Sequence, residues 1–452
     1  MKPFATGYGY ALKIAGICAA LMFAAPLGQA AEIQRVVSPG GIEVWLVADD
    51  AVPIVSLAFG FRGGSALDPV GKEGRAKLAS GLLDEGAGEL DASAFQQRVA
   101  AMGLDLGFSA SRDDFTGYLR TLSEHADAAA DLLALALARP RFDPEPLERI
   151  RRQLLIGIAG ESRDPGLLAA RAILRALLGD DPYARPDQGT LASVQGLDAD
   201  DLRAFVRERL TRDQLFVTAA GDISPAALGQ LVDRAFAGLP ATGTRETLPK
   251  IDADNEGALL TIERDLPQSI VAFAQPGILR DDPDFFAAYL MNYILGGGGF
   301  SSRLMSELRV KRGLTYGVST DLVTLDRVGL ISGRFETGTD KVAEALEILR
   351  QEWRRMAAEG PSGAELEAAK SYLLGSYPRN LTTTSKAAGT LLNIRIADLG
   401  IDYIDRRQAE IAAVSLDDVK RVARRLLDEN ALTIVVAGRP VDLAGARVAP
   451  QP

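Results

Sequence analysis

The residue types from which most catalytic centres are built are almost absent from this chain, which has one histidine, His125, and one cysteine, Cys18. Zinc sites in proteins are built mainly from imidazole and thiolate, usually two or more together, so the chain alone cannot assemble such a site. Any Ser–His or Cys–His nucleophile pair would have to draw on His125. That residue stands beside Glu124 at the start of a helical stretch, the setting of an ordinary solvated histidine. The carboxylate pairs Asp84-Glu85 and Asp113-Asp114 sit in turns rich in polar residues and glycine. They read as solvated turns rather than cation cages. The run Gly296 to Gly299 is not a phosphate loop, because Gly-Lys-Ser/Thr does not follow it. Two readings stay open for it: a flexible joint between helices, or a loop that lets backbone approach a substrate.

These residues sit in a chain of 452, 47% hydrophobic and 24% charged, long enough for two to four domains with cores of their own. Its 45 glycines and 22 prolines show no collagen-like period, which excludes fibrous and disordered classes. A net charge of −10 leaves no electrostatic footprint for nucleic acid and little attraction to anionic lipid. At the N-terminus, Lys2 and Lys13 precede the apolar run Ile14 to Ala25, which Pro26 breaks before Gly28-Gln29-Ala30. This is the pattern of a secretory signal cleaved after Ala30. The apolar run is too short to cross a hydrocarbon core of roughly 30 Å, and Ile17 is too large for a lipoprotein site at Cys18. Cleavage would remove both lysines and the only cysteine, so no disulfide could form even in an oxidising compartment. The expectation is a soluble periplasmic protein without a stable membrane anchor.

A repeat runs through the rest. Val52 to Pro69 (VPIVSLAFGFRGGSALDP) matches Leu266 to Pro283 (LPQSIVAFAQPGILRDDP) at a shift of 214 positions without a gap. LDADDLRAFVRERL from Leu197 resembles SLDDVKRVARRLL from Ser415, and LFVTAAGD from Leu215 lies over LTIVVAGR from Leu432, 217 positions on. The pattern divides the chain into a leader at 1–30, an N-terminal domain at 31–239, a linker at 240–257, a C-terminal domain at 258–440 and a tail at 441–452. Within the first half, alternating apolar runs predict strands at Glu43 to Val47 and Ile54 to Phe61. Helical spacing follows at Gly74 to Leu83, Ala92 to Met102, Glu124 to Ala138, Pro144 to Glu161, Pro165 to Leu178 and Asp198 to Arg209. Two short strands lie within Leu106 to Arg120, and a strand at Leu215 to Ala220 closes the half. Strands at both ends with helices clustered between them give an α+β class, helices packed on a mostly antiparallel sheet, and not the strand–helix alternation of a dinucleotide fold.

Gly60 to Gly88 (GFRGGSALDPVGKEGRAKLASGLLDEGAG) resembles the segment that carries the inverted zinc motif HxxEH in the pitrilysin/insulinase metallopeptidase family. So do Leu178 to Tyr183 (LGDDPY) with the following GTLASV, and Gly296 to Thr320 (GGGGFSSRLMSELRVKRGLTYGVST). The resemblance implies two tandem α+β halves forming half of a clam-shell chamber. It also places the zinc motif on positions where the chemistry fails. The first zinc histidine falls on Lys77, the catalytic glutamate on Ser80, the second histidine on Gly81 and the distal glutamate ligand on Gly157. Two imidazoles one helical turn apart and a carboxylate base are what the reaction needs; a cation, a hydroxyl and two missing side chains stand there instead.

What the resemblance leaves in place is the Arg–Tyr pair of the family's second half, on Arg309 and Tyr316. It implies that Arg309 ends a helix from Ser301 to Val310 and that Tyr316 lies on the following strand. Both groups can donate hydrogen bonds to a carbonyl oxygen as it becomes an oxyanion. Gly296, Gly297, Gly298 and Gly299 would form a substrate-facing loop. The implied function is that of a metal-free subunit: Arg309 and Tyr316 would serve, in trans, the active site of an HxxEH-containing sibling that holds the zinc and cleaves peptides. No cofactor is expected on this chain. The alternative is a non-enzymatic peptide-binding or scaffold protein of the same fold. Arg303 and Arg312 nearby are expected to be ordinary solvated charges.

Overall fold

The computed structural model describes residues 32–244, 246, 248–440 and 443–449. The expected leader and its cleavage site therefore lie outside the described residues, as do 441, 442 and 450–452 at the tail. The first half runs β1 (Ile33–Val37), β2 (Glu43–Ala48), β3 (Ile54–Arg62), α1 (Arg75–Ser80), α2 (Ala92–Ala101), β4 (Asp105–Ala110), β5 (Asp114–Leu122), α3 (Ala126–Ala138), α4 (Pro144–Glu161), α5 (Pro165–Leu178), α6 (Leu191–Gln195), α7 (Ala199–Arg209), β6 (Leu215–Gly221) and α8 (Pro225–Phe236). The second runs β7 (Ala258–Glu263), β8 (Gln268–Pro276), α9 (Phe285–Asn292), β9 (Val318–Thr324), β10 (Gly329–Gly338), α10 (Val342–Glu359), α11 (Gly363–Ser376), α12 (Thr384–Ile396), α13 (Tyr403–Ala413), α14 (Leu416–Leu426), β11 (Thr433–Gly438) and β12 (Arg447–Val448).

The sequence repeat is a structural one. One sheet has the order β1-β2-β6-β3-β5-β4 and the other β12-β7-β11-β8-β10-β9, so β2 corresponds to β7, β3 to β8 and β6 to β11. Both are mixed: β2–β6 and β7–β11 pair in parallel within otherwise largely antiparallel sheets. The edge position beside β2 or β7 is filled from opposite ends of the chain, by β1 antiparallel in one half and by β12 parallel in the other. The matched segments begin their helices alike. Asp198 and Ser415 each close a capping box, with Asp201 and Asp418 reaching back to the N-cap amide. Each central strand also carries a phenylalanine opposite a glycine, Phe59 against Gly117 and Phe273 against Gly333. A Cβ at either glycine would lie 2.3 Å from the ring.

Each sheet has two covered faces, and their coverings come from different halves. Along β3, Leu57, Phe59 and Phe61 point into the first half's own core with α1, α3 and α8. The other face carries Ser56, Ala58 and Gly60, small residues that admit a helix at close range. That helix is α12, from the second half. Ser56 Oγ lies 2.8 Å from Thr384 Oγ1. Thr218 Oγ1 donates to the Ala388 carbonyl at 2.8 Å. Arg395 donates to the carbonyls of Glu43 and Val217 at 2.8 and 2.6 Å. The reverse exchange buries α5, from the first half, on the second sheet. Its Ala169, Ala172, Ile173 and Leu177 join Ala272 and Ala274 of β8 and Val435 and Ala437 of β11 in one core. Neither sheet is covered without the other half.

The exchange leaves no spare room at Gly60, where a Cβ would lie 2.9 Å from Ile396 Cδ1. Gly60→Val overpacks the α12–β3 contact and should cost about 1–3 kcal/mol. Chemical denaturation of Gly60→Val, Ile396→Ala and the double variant checks it: the double variant should recover part of the loss, because the two side chains compete for one volume.

Candidate functional site

Helix α1 is set by its entry. Asp68, buried at 3% exposure, accepts hydrogen bonds from the amides of Gly74 and Ala76 at 3.0 and 3.2 Å. Burial pushes its carboxyl up to about 7, opposed by Arg75, whose Nε lies 3.7 Å away, and by the amides. Gly74 has φ +90°, and a Cβ there would meet the Gln188 carbonyl at 2.5 Å. Ser193 Oγ donates to the Glu73 carbonyl at 2.8 Å, so the GTLASV segment is fastened to the start of α1. This frame presents positions 77, 80 and 81 on one side of a single helical turn. Lys77 is half-buried and makes no hydrogen bond or ion pair through its ammonium, and Ser80 Oγ turns back to the Lys77 carbonyl at 2.8 Å. Gly81 abuts α4, its added Cβ falling 3.0 Å from Ile150 Cγ2. Gly157 lies two turns further along α4, exposed, with Gln188 Oε1 3.8 Å from where its Cβ would be. The two helices that would carry the ligands are packed together, and the ligands are absent.

In the second half the backbone departs from the expected helix–joint–helix–strand pattern. After α9 the chain widens into a π-helical turn, Tyr293–Gly297, closed by the Gly298 amide on the Tyr293 carbonyl at 2.7 Å. A 3-10 turn spans Gly299–Ser301, and a second π-helical segment spans Met305–Val310, closed by Lys311 on Ser306 at 2.9 Å. Wide turns of this kind are rare and gather at functional sites. Ser301 belongs to the 3-10 turn rather than to the expected helix, and its Oγ donates to the Gly298 carbonyl. Gly296 is buried against β9, where a Cβ would lie 2.5 Å from Thr320 Oγ1, and Gly298 would meet the Tyr293 carbonyl at 2.8 Å. Both are glycine for packing. Gly297 and Gly299 are the exposed members, and Gly299 adopts φ +57°. Tyr316 does not lie on β9 but in the loop two residues before it, 80% exposed and without a hydrogen bond or ring contact. Arg309 is held by a group the sequence did not single out, with its guanidinium 4.5 Å above the ring of Phe300. Phe300 is 68% exposed, Val310 66%. Arg309 thus has uncovered apolar groups beside it, and it and the exposed Tyr316 do not touch each other.

Several charges expected to be solvated are structural. Arg303 is a bidentate partner of Glu365, at 2.7 and 2.8 Å, and its hydrogen bond holds the Glu365 carboxyl down at about 2. Arg312 is paired with Glu307 at 2.5 Å. Asp113 and Asp114 are half-buried where the halves meet: Asp113 accepts from the Tyr183 hydroxyl and from the Asp326 amide, and Asp114 Oδ1 has no partner. Burial, reinforced by Asp326, pushes them up to about 6 and 7. Asp84 is likewise raised to about 6, first by burial. Asp181 and Tyr183 of LGDDPY join the halves, Asp181 taking Arg327 in two bonds of 2.8 and 2.7 Å and Tyr183 lying under the same guanidinium at 4.8 Å. Beside this contact is a cleft of about 1210 Å³, lined from both halves by neither the α1–α4 positions nor Arg309 and Tyr316.

Comparison with known proteins agrees with this geometry. Residues 43–189 match the model described as "Insulinase (Peptidase family M16)", and residues 196–373 match "Peptidase M16 inactive domain". The chain belongs to the insulinase peptidase family. A Helicobacter pylori relative described as a non-peptidase homolog is 27% identical, with 85% of this chain and 89% of that protein covered. A Streptomyces coelicolor relative, described as an uncharacterized zinc protease, is 28% identical with 87% of each covered. A crystal structure described as a peptidase M16 inactive domain from Pseudomonas fluorescens superposes with a TM-score of 0.85 at 28% identity, covering 93% of this chain and 100% of that one.

Membership in the insulinase family implies zinc, and the residues present do not fit it. Lys77, Ser80, Gly81 and Gly157 offer neither an imidazole nor a carboxylate, and no group of three His, Cys, Asp or Glu among the described residues could hold a metal ion. Restoring the motif should not restore the site. In the variant Lys77→His, Ser80→Glu, Gly81→His, the new side chain at 81 is forced against Ile150, and position 157 still lacks a ligand. Robust chelator-sensitive cleavage of an unstructured peptide by that variant would show the loss to be shallower than the packing implies.

Proposed function

We propose that this chain is the metal-free subunit of a two-chain exported zinc peptidase, supplying Arg309 and Tyr316 to the active site of an HxxEH-containing sibling. The observation that carries the reading is the contrast between its two sites. The α1–α4 frame is intact but holds no metal ligand, whereas Tyr316 stands 80% exposed beside a segment of wide helical turns, Gly297, Gly299 and the Phe300–Arg309 stack. A phenol and a guanidinium kept at the surface serve a reacting peptide only if another molecule brings that peptide to them. The exposed Phe300 and Val310 would be covered by the sibling. The leader at 1–30 would deliver the chain to the periplasm, and the cleft between the halves would form part of the chamber wall.

The test is the turnover of the two-chain enzyme. Tyr316→Phe removes only the O–H, so assembly, zinc content and stability should hold while turnover falls on the order of 100-fold, the usual cost of one lost oxyanion donor. Arg309→Ala should lower turnover and also weaken substrate binding, and the double variant should fall short of the product of the singles. A Tyr316→Phe complex as active as wild type would favour the scaffold function instead.

A further inference from the structure

Four arginines are buried below 9% exposure among the described residues, and three have their charge answered. Arg75 meets Asp68 and Glu208, Arg209 meets Glu246, and Arg327 meets Asp181. The fourth, Arg407 on α13, is 6% exposed and makes no hydrogen bond or ion pair, and its Nη1 is fully buried without a partner. Its one compensation is the Tyr377 ring, 4.2 Å from the guanidinium carbon. A guanidinium cannot shed its proton to escape burial, so a missing counter-charge is costly unless something supplies it.

Arg407 lines a cavity of about 330 Å³ between α9, α11, α13 and the turn at Tyr377–Leu381. Its walls are mainly aromatic: Phe285, Phe286, Tyr289, Tyr377 and Tyr403. Among the described residues no carboxylate lines it. At its rim stands Arg379, exposed and without an ion pair, and Arg280 next door is stacked on Phe285 at 3.8 Å with its only hydrogen bond to the Tyr403 hydroxyl. Of the acids on the flanking elements, Asp282 and Asp284 are taken by Arg421 and Arg425, and Asp402 and Glu410 by Arg406, while Asp405 on α13 is exposed and makes no ion pair with Arg407. Tyr377, Asn380 and Tyr403 also line the cleft between the halves, so the cavity opens from it as a side pocket.

We propose that this pocket binds a carboxylate carried on an aromatic or branched aliphatic body. The rings take the apolar body, and Arg407, whose planar fork matches a carboxylate, takes the charge inside, with Arg379 at the entrance. The volume fits one such residue. Two sources share this chemistry, the C-terminal residue of a peptide and a free arylalkanoic acid. The site does not depend on whether Arg309 and Tyr316 act in trans.

Calorimetric titration of the purified chain with N-acetyl-Ala-Phe, its C-terminal amide and 3-phenylpropionate tests this directly. The dipeptide acid should bind, and the amide should bind at least about tenfold more weakly, since a charge-assisted pair is lost. Arg407→Met should abolish that preference, and Arg379→Gln, at an exposed position, should reduce it with the fold unchanged and carries the test if Arg407→Met does not fold. Binding of the dipeptide without 3-phenylpropionate identifies a peptide C-terminus, and equal binding identifies the free acid. Acid and amide indistinguishable on the wild-type chain, or no binding of either at millimolar concentration, would overturn the proposal.

Discussion

The structure rests on an exchange of helices between two copies of one fold. Each sheet buries one face with its own helices and leaves the other to a helix from the opposite half, α12 on the first sheet and α5 on the second. A sheet with one bare apolar face is not a stable product, so the halves fix each other's position as a condition of folding. The small residues Ser56, Ala58 and Gly60 on β3, and Ala272 and Ala274 on β8, bring the exchanged helices close enough for side chains to reach across, as Arg395 does to two strand carbonyls. The Asp181–Arg327 pair and Tyr183 then lock the seam beside the cleft.

That frame explains how a catalytic site can be lost without disturbing the fold. The order of α1 comes from the Asp68 cap, the Gly74 approach and the Ser193 strap, none of which is a ligand. The ligand positions are peripheral to these contacts. Ser80 satisfies itself on its own helix, Gly81 lets α4 sit close, and Gly157 is at the surface. The second-half site shows the reverse economy: Gly296 and Gly298 are fixed by packing, while Gly297, Gly299, Phe300 and Tyr316 remain open.

Much of the fold was legible because local signals agreed with it. α4 and α5 begin at Pro144 and Pro165 and end at Glu161 and Leu178, where proline at the first turn and Gly179 after the last placed them. The repeat offset carried the strand order from one half to the other. The helix exchange was not legible, since amphipathic periodicity says that α5 and α12 have an apolar face but not whose sheet receives it. The π-helical turns escaped because nothing in MSELRV distinguishes an i→i+5 bond from an i→i+4 bond, and Tyr316 lies in a loop because the β9–β10 ladder begins only at Val318. Asp113 and Asp114 looked like a solvated turn because their burial comes from Asp326 and its neighbours, more than 200 positions away in sequence. Arg407 carried no signal at all, because a missing counter-ion is visible only once every neighbour is placed.

The central claim is that the helices of the zinc-site frame are in place in this chain and the metal ligands are not, and the proposed function assigns any catalysis to a second chain. Zinc content and peptide cleavage, measured together on the chain alone after incubation with zinc and gel filtration, test it most directly. The expected result is no stoichiometric metal and no cleavage of an unstructured peptide, with both appearing when an HxxEH-bearing sibling is added. One tightly held equivalent of zinc, or chelator-sensitive cleavage, in the chain alone would contradict it.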